Sequence, residues 1–167
     1  MREGYAIRMA TGADADVIAY HRVAMFRDMG ILRDEEMPSI EAVTRTYLAE
    51  ALPRREYVGF MVEADGSVVA GGGLFVRRLL PRPGWPTGGD EAYVLNVYTE
   101  PAHRRRGLAR ALMEAIMAWC DARGMSRVTL HASDDGRPLY ETLGFLQTNE
   151  MRWEAERPWP GGERRDE

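Results

Sequence analysis

Cysteine is nearly absent from this sequence. Cys120 stands alone in 167 residues, which excludes an internal disulfide and suits a reducing compartment. Histidine is almost as sparse: His21, His103 and His131 are too scattered to give metal-ligand spacing, so no metal is expected. No apolar run approaches the roughly 18 residues of a membrane-spanning helix. Residues 1–5 lack the apolar core of a secretory signal. The net charge of −4 gives the surface as a whole no attraction for nucleic acid or acidic membrane. Internal repeats and linkers are missing as well. The expectation is a soluble, cytoplasmic protein of one domain, residues 1–153, followed by a polar tail of Pro, Gly and charge, 154–167.

The two commonest phosphate loops are also missing. G-x-x-x-x-G-K-[ST] occurs nowhere, and Gly71-Gly72-Gly73 lies inside a strand-like run, so it does not make G-x-G-x-x-G. What the chain does have is a strand, a basic turn and a helix in succession. Residues 92–98 are apolar, aromatic and β-branched, as in a buried strand, and Pro101 stops the run. Arg104, Arg105, Arg106 and Gly107 follow. Then Leu108, Leu112, Ala115, Ile116 and Trp119 recur at spacings of three and four, one face of a helix. The first N–H groups of a helix have no partner inside it and carry the positive end of its dipole. Gly107 and Ala109 leave room for a phosphate to approach those amides, and three arginines add charge at the same mouth. Those residues together make a pyrophosphate site.

The remaining chain reads as alternating elements. Residues 5–9 suit a strand. Thr11 caps a helix over about 17–29, ended by Gly30. A charged connector, 31–38, leads to a second helix capped by Ser39 and ended before Pro53. Residues 56–63 and 67–77 are strands joined by the hairpin turn Ala64-Asp65-Gly66. Residues 78–90, rich in Pro and Gly, form a loop. After the central helix, closed by Gly124, come a strand over 127–131, a short helix with Pro138 in its first turn, and a last strand over 145–153. The order β-α-α-β-β-β-α-β-α-β fits an α/β fold, a mixed sheet of about six strands with helices on both faces. Within it, residues 92–132 form a parallel, right-handed strand–helix–strand unit.

The pattern Arg104-x-x-Gly107-x-Ala109 after a strand resembles the signature of the GNAT superfamily of acyl-CoA-dependent N-acetyltransferases. Leu139-Tyr140-Glu141-Thr142-Leu143-Gly144-Phe145 resembles that family's Leu-Tyr-Glu-x-x-Gly-Phe segment, at the usual distance downstream. Element order agrees over the whole chain. The resemblance implies transfer of an acetyl group from acetyl-CoA to a primary amine by direct attack. It implies that the pantetheine arm lies between diverging strands, against Val97, Tyr98 and Thr99. Amides and side chains from Arg104 to Arg110, with Leu108 among them, then hold the pyrophosphate. Ser133 stands where the family often has a cofactor-contacting Asn. Tyr140 matches the tyrosine that protonates the leaving thiolate, and Glu91, opening the central strand, is the expected base. The acceptor is expected to be a small-molecule or peptide amine, and the negative net charge favours a cationic one. Members of that family often dimerise through sheet edges or helix faces, so the resemblance leaves both a homodimer and a monomer open. The alternative is a non-catalytic acyl-CoA-binding or sensor protein of the same fold. Nucleic-acid binding through the arginine cluster lacks stacking aromatics around it.

Overall fold

A computed structural model describes residues 4–83, 85–151 and 153. Five strands form: β1 (Ala6–Met9), β2 (Val58–Ala64), β3 (Ser67–Leu79), β4 (Gly89–Thr99) and β5 (Arg127–Leu130). They lie in the order β1-β2-β3-β4-β5 in one sheet. The first four pair antiparallel, and β5 pairs parallel with β4. Asp65 and Gly66 both have positive φ, 49° and 76°, which suits the tight β2–β3 hairpin. Four helices complete the fold: α1 (Ala15–Asp28), α2 (Met37–Ala51), α3 (Leu108–Asp121) and α4 (Arg137–Thr142).

The sheet is covered on both faces, and period-two alternation along β3 and β4 sorts the side chains between them. Ala70, Leu74, Ala92 and Val94 pack with Leu108, Leu112, Met113 and Ile116 of α3. On the other face Tyr57, Met61, Phe75 and Leu95 pack with Ile18 and Ala19 of α1 and Leu48 of α2. The glycine triplet in β3 makes this closeness possible. A Cβ on Gly73 would stand 2.3 Å from the Tyr57 ring, and one on Gly72 would stand 3.0 Å from Leu112 on the opposite face. Cys120 is buried in the α3 core, as an apolar residue would be.

Helix starts differ in detail from expectation. Each of the first two helices is preceded by a 3-10 turn in which a carboxylate reaches back to a backbone amide: Asp14 to Thr11 at 2.7 Å, and Glu36 to Arg33 at 3.1 Å. The second helix therefore begins at Met37 rather than at Ser39, and Pro38 sits in its first turn, where its missing N–H is harmless. Strands β3 and β4 extend into the expected loop, leaving residues 80–88 as the connection. The last expected strand does not form: none of the described residues from 145 to 153 is in a strand. Leu146, Met151 and Trp153 are exposed. Alternation makes a strand only where one face becomes buried, and these side chains stay in solvent. Residues 154–167, the expected tail, lie outside the described residues.

His21 on α1 is 2% exposed, and neither ring nitrogen has a hydrogen-bond partner among the described residues. Glu100 Oε1 stands 3.3 Å from Nε2 but out of alignment. Burial pushes the imidazole down to about 4. The folded protein thus holds His21 neutral while the unfolded chain protonates it, so stability falls as pH drops from about 6.5 to about 4, by up to about 3 kcal/mol. Asp14 acts in a separate, lower window. The Arg8 guanidinium, at 2.7 Å, holds its carboxyl below the ordinary 3.8, so its contribution is lost only as pH falls beneath that value. Urea unfolding at pH 7 and pH 5 should show a loss of stability that His21→Asn largely removes.

Candidate active site

Strand β4 begins fully paired and ends with one edge open. Its pairing with β5 covers Glu91–Arg127, Ala92–Val128, Tyr93–Thr129 and Val94–Leu130, and stops there. Beyond Val94, β4 stays on β3 alone. In the same place it carries a bulge. Leu95 faces Gly73 and Tyr98 faces Gly71, so Asn96 and Val97 together stand opposite the single Gly72. Asn96 has φ 58°, the left-handed conformation that Asn tolerates better than most residues. A bulge bends its strand and increases its twist. The result is an edge of β4 along Val97, Tyr98 and Thr99 that no strand pairs with among the described residues. Such an edge is where an extended ligand pairs with backbone.

The chain turns from this edge into α3. Pro101–His103 is a 3-10 turn, Arg105 has φ 61°, and Gly107 caps α3 with φ 81°. Within the described residues, the backbone amides of all six residues from Arg105 to Arg110 have no hydrogen-bond acceptor. A Cβ on Gly107 would meet nothing within 4 Å, so the mouth is open. The arginine side chains divide their work. Arg104 is bound to Asp28 of α1 and donates to Thr99 O at 2.9 Å. Arg106 donates to Tyr5 Oη at 2.8 Å and to Ala102 O at 3.0 Å. Arg110 donates to Thr142 Oγ1 of α4 at 2.6 Å. Arg105 is exposed and has no such tie among the described residues. Two of the four guanidiniums, Arg104 and Arg106, therefore brace the turn, and Arg110 ties α3 to α4.

Tyr140 lies on α4, half-buried against the α3 core, with its ring edge toward Phe145 at 5.9 Å. Its hydroxyl has no partner among the described residues, and burial raises its pKa above the usual phenol value. Ser133 is turned inward: its Oγ accepts from Gly136 N at 3.2 Å. A Cβ on Gly136 would touch both Tyr140, at 3.0 Å, and Ser133 Oγ, at 3.2 Å, so the glycine keeps these two close. Glu91 is 5% exposed and accepts from Arg127 Nε at 2.8 Å, three residues before β4 loses its β5 partner.

The face covered by α1 adds residues for which no motif stood in the sequence. Arg22 of α1 donates to Asn96 Oδ1 at 2.6 Å, and Asn96 Nδ2 reaches Tyr57 Oη at 3.4 Å. Tyr93 bonds His131 Nδ1 at 2.5 Å, and the Arg77 guanidinium stacks on the Tyr93 ring at 3.8 Å. One signal was available: Arg22 is the one formally charged residue in the mostly apolar 17–26 stretch. Among the described residues no group of three or more His, Cys, Asp or Glu could hold a metal, and no helix is long and apolar enough to cross a membrane.

The model described as Acetyltransferase (GNAT) family matches residues 26–145. A GCN5-related N-acetyltransferase from Ralstonia eutropha JMP134 superposes with a TM-score of 0.83 at 34% identity, over 91% of this chain and 99% of that one. A predicted acetyltransferase crystallised with acetyl-CoA, from Clostridium acetobutylicum, gives 0.80 at 24% identity, over 90% of this chain and 96% of that one. A glucosamine 6-phosphate N-acetyltransferase from Trypanosoma brucei brucei is 27% identical over 112 residues, 66% of this chain and 74% of that one.

Proposed function

The chain belongs to the acetyltransferase (GNAT) family and is an acyl-CoA-dependent acetyltransferase, and on that premise we propose that it carries an acetyl group from acetyl-CoA to a primary amine by direct attack. The single observation that carries this reading is the run of six amides at the start of α3 that lack an acceptor among the described residues, beside the edge of β4 that β5 does not pair with. Phosphate oxygens satisfy such amides and meet the positive end of the helix dipole. The exposed Arg105 side chain adds charge there. The free edge of Val97, Tyr98 and Thr99 receives the pantetheine arm by strand-like pairing, and an N–H on it polarises the thioester carbonyl. Ser133 completes the cofactor side.

The thioester supplies an activated carbonyl and a thiolate leaving group. A C–N bond forms as the C–S bond breaks; the amine gives up a proton and the sulfur gains one. Tyr140 supplies the sulfur's proton. Its raised pKa keeps the phenol protonated at neutral pH, as a donor must be. Glu91, the carboxylate on the acceptor face of β4, receives the amine's proton through water. Its ion pair with Arg127 gives it a second, structural task. The relative named for glucosamine 6-phosphate supports a primary amine as the acceptor class.

Calorimetry should detect acetyl-CoA binding by the wild-type protein and at least about tenfold weaker binding by Gly107→Glu, which sets a carboxylate against the pyrophosphate. No binding by the wild type rejects the reading. Gly107→Ala separates backbone strain from charge. Turnover is read as free thiol with an amine panel. The chain has no lysine, so it offers no side-chain amine to compete with the added acceptor.

Tyr140→Phe should lower kcat by about 10²-fold or more, with acetyl-CoA affinity held. An unchanged kcat would remove Tyr140 from the reaction. Glu91→Gln should lower kcat by about tenfold or more, with acetyl-CoA affinity held. A loss of thermal stability alone would make Glu91 only a strut. A non-catalytic binder of the same fold would bind acetyl-CoA and release no thiol with any amine.

A further inference from the structure

The acceptor face beside this edge of β4 holds more positive charge than the protein neutralises. Arg22 is half-buried on α1. Its guanidinium lies over the Phe26 ring at 4.5 Å and makes one hydrogen bond among the described residues, to Asn96 Oδ1 at 2.6 Å. A guanidinium has five donors. No described carboxylate stands within 4.0 Å of it. Arg77, on β3, is exposed and lies against Tyr93, again without a carboxylate partner among the described residues. Tyr93, whose ring Arg77 covers, lies on β4 three residues before Asn96, the residue that holds Arg22. The acids nearby are committed elsewhere: Glu91, opposite Arg77 in the sheet register, binds Arg127 at 2.8 Å, and Glu150 faces His131 at 3.6 Å.

A partly desolvated cation with no counter-ion is costly in a free protein and is compensated when a ligand brings the anion. The position of Arg22 says which ligand. Asn96, its anchor, lies two residues beyond the last residue of β4 that pairs with β5, at the start of that edge. On the reading that the edge takes the thioester, Arg22 stands beside the point of attack. We propose that Arg22 and Arg77 bind a carboxylate or phosphate on the acceptor, so that the enzyme selects small amines carrying an anionic group. The net charge of −4, which favours a cationic amine, is an average over the surface and does not describe this site.

The test uses matched pairs of amines with acetyl-CoA and reads free thiol: each common amino acid against its amide, O-phosphoethanolamine against ethanolamine, and spermidine as a cationic control. The anionic member of at least one pair should exceed its neutral counterpart by about tenfold or more in kcat/KM, the scale of one charged hydrogen bond. Which pair responds separates carboxylate from phosphate. Arg22→Gln should raise KM for that anionic amine about tenfold more than for the neutral one, and Arg22→Lys should restore part of the difference. Arg77→Gln, at an exposed position that folding tolerates, should shift KM in the same direction. Preference for spermidine, or equal rates within every pair, overturns the proposal while thiol release still upholds the acetyltransferase. Loss of kcat alike for both members assigns Arg22 to the reaction and overturns it too. Absence of acetyl-CoA binding overturns the reading of that edge, and this inference with it.

Discussion

Between Leu95 and Tyr98 strand β4 has two residues where β3 has one, and the extra length has to go somewhere. It is taken up by Asn96 in a left-handed conformation, and from there on β4 is carried by β3 alone. Every other part of the site is placed relative to that event. The edge of 97–99 that β5 does not pair with, the turn through Pro101 and the six amides ahead of α3 that lack an acceptor among the described residues all follow β4 as it leaves β5. Asn96 is itself buried, with its amide held between Arg22 and Tyr57, so the bulge is fixed by side chains and not only by the backbone.

The glycine triplet makes that arrangement affordable. Gly72 lies directly under the bulge, and a Cβ there would come within 3.2 Å of Val97 and 3.0 Å of Leu112. Gly73 gives its space to Tyr57, whose hydroxyl then receives the Asn96 amide. Flat, side-chain-free backbone in β3 thus lets α1 and α3 approach opposite faces of the same short segment. A sheet with ordinary side chains at 71–73 would hold both layers farther off.

Charge in this protein is distributed by task. At the start of α3 the arginines brace: Arg104 ties β4 to α1, Arg106 ties the turn to Tyr5, and Arg110 ties α3 to α4. The backbone amides beside them, without an acceptor among the described residues, are donors that cost no side-chain entropy to hold in place. On the face covered by α1 the balance reverses: Arg22 and Arg77 have no carboxylate partner among the described residues.

The sequence alone specified the strand–turn–helix around Gly107, the hairpin at Asp65-Gly66, the helix stops at Gly30 and Gly124, and the family through two short patterns. These depend on torsion angles and on the pattern of neighbouring residues along the chain, and both are written in consecutive letters. Tertiary structure decided the rest. The bulge at Asn96 exists only as a mismatch of length between two strands. The partners of Arg22, Arg104 and Glu91 lie 74, 76 and 36 positions away. The described residues from 145 to 153 show the converse: a strand-like pattern that joins no strand of the sheet. Which cation is satisfied and which is left for a ligand depends on the elements that pack around it, and no local stretch of sequence carries that information.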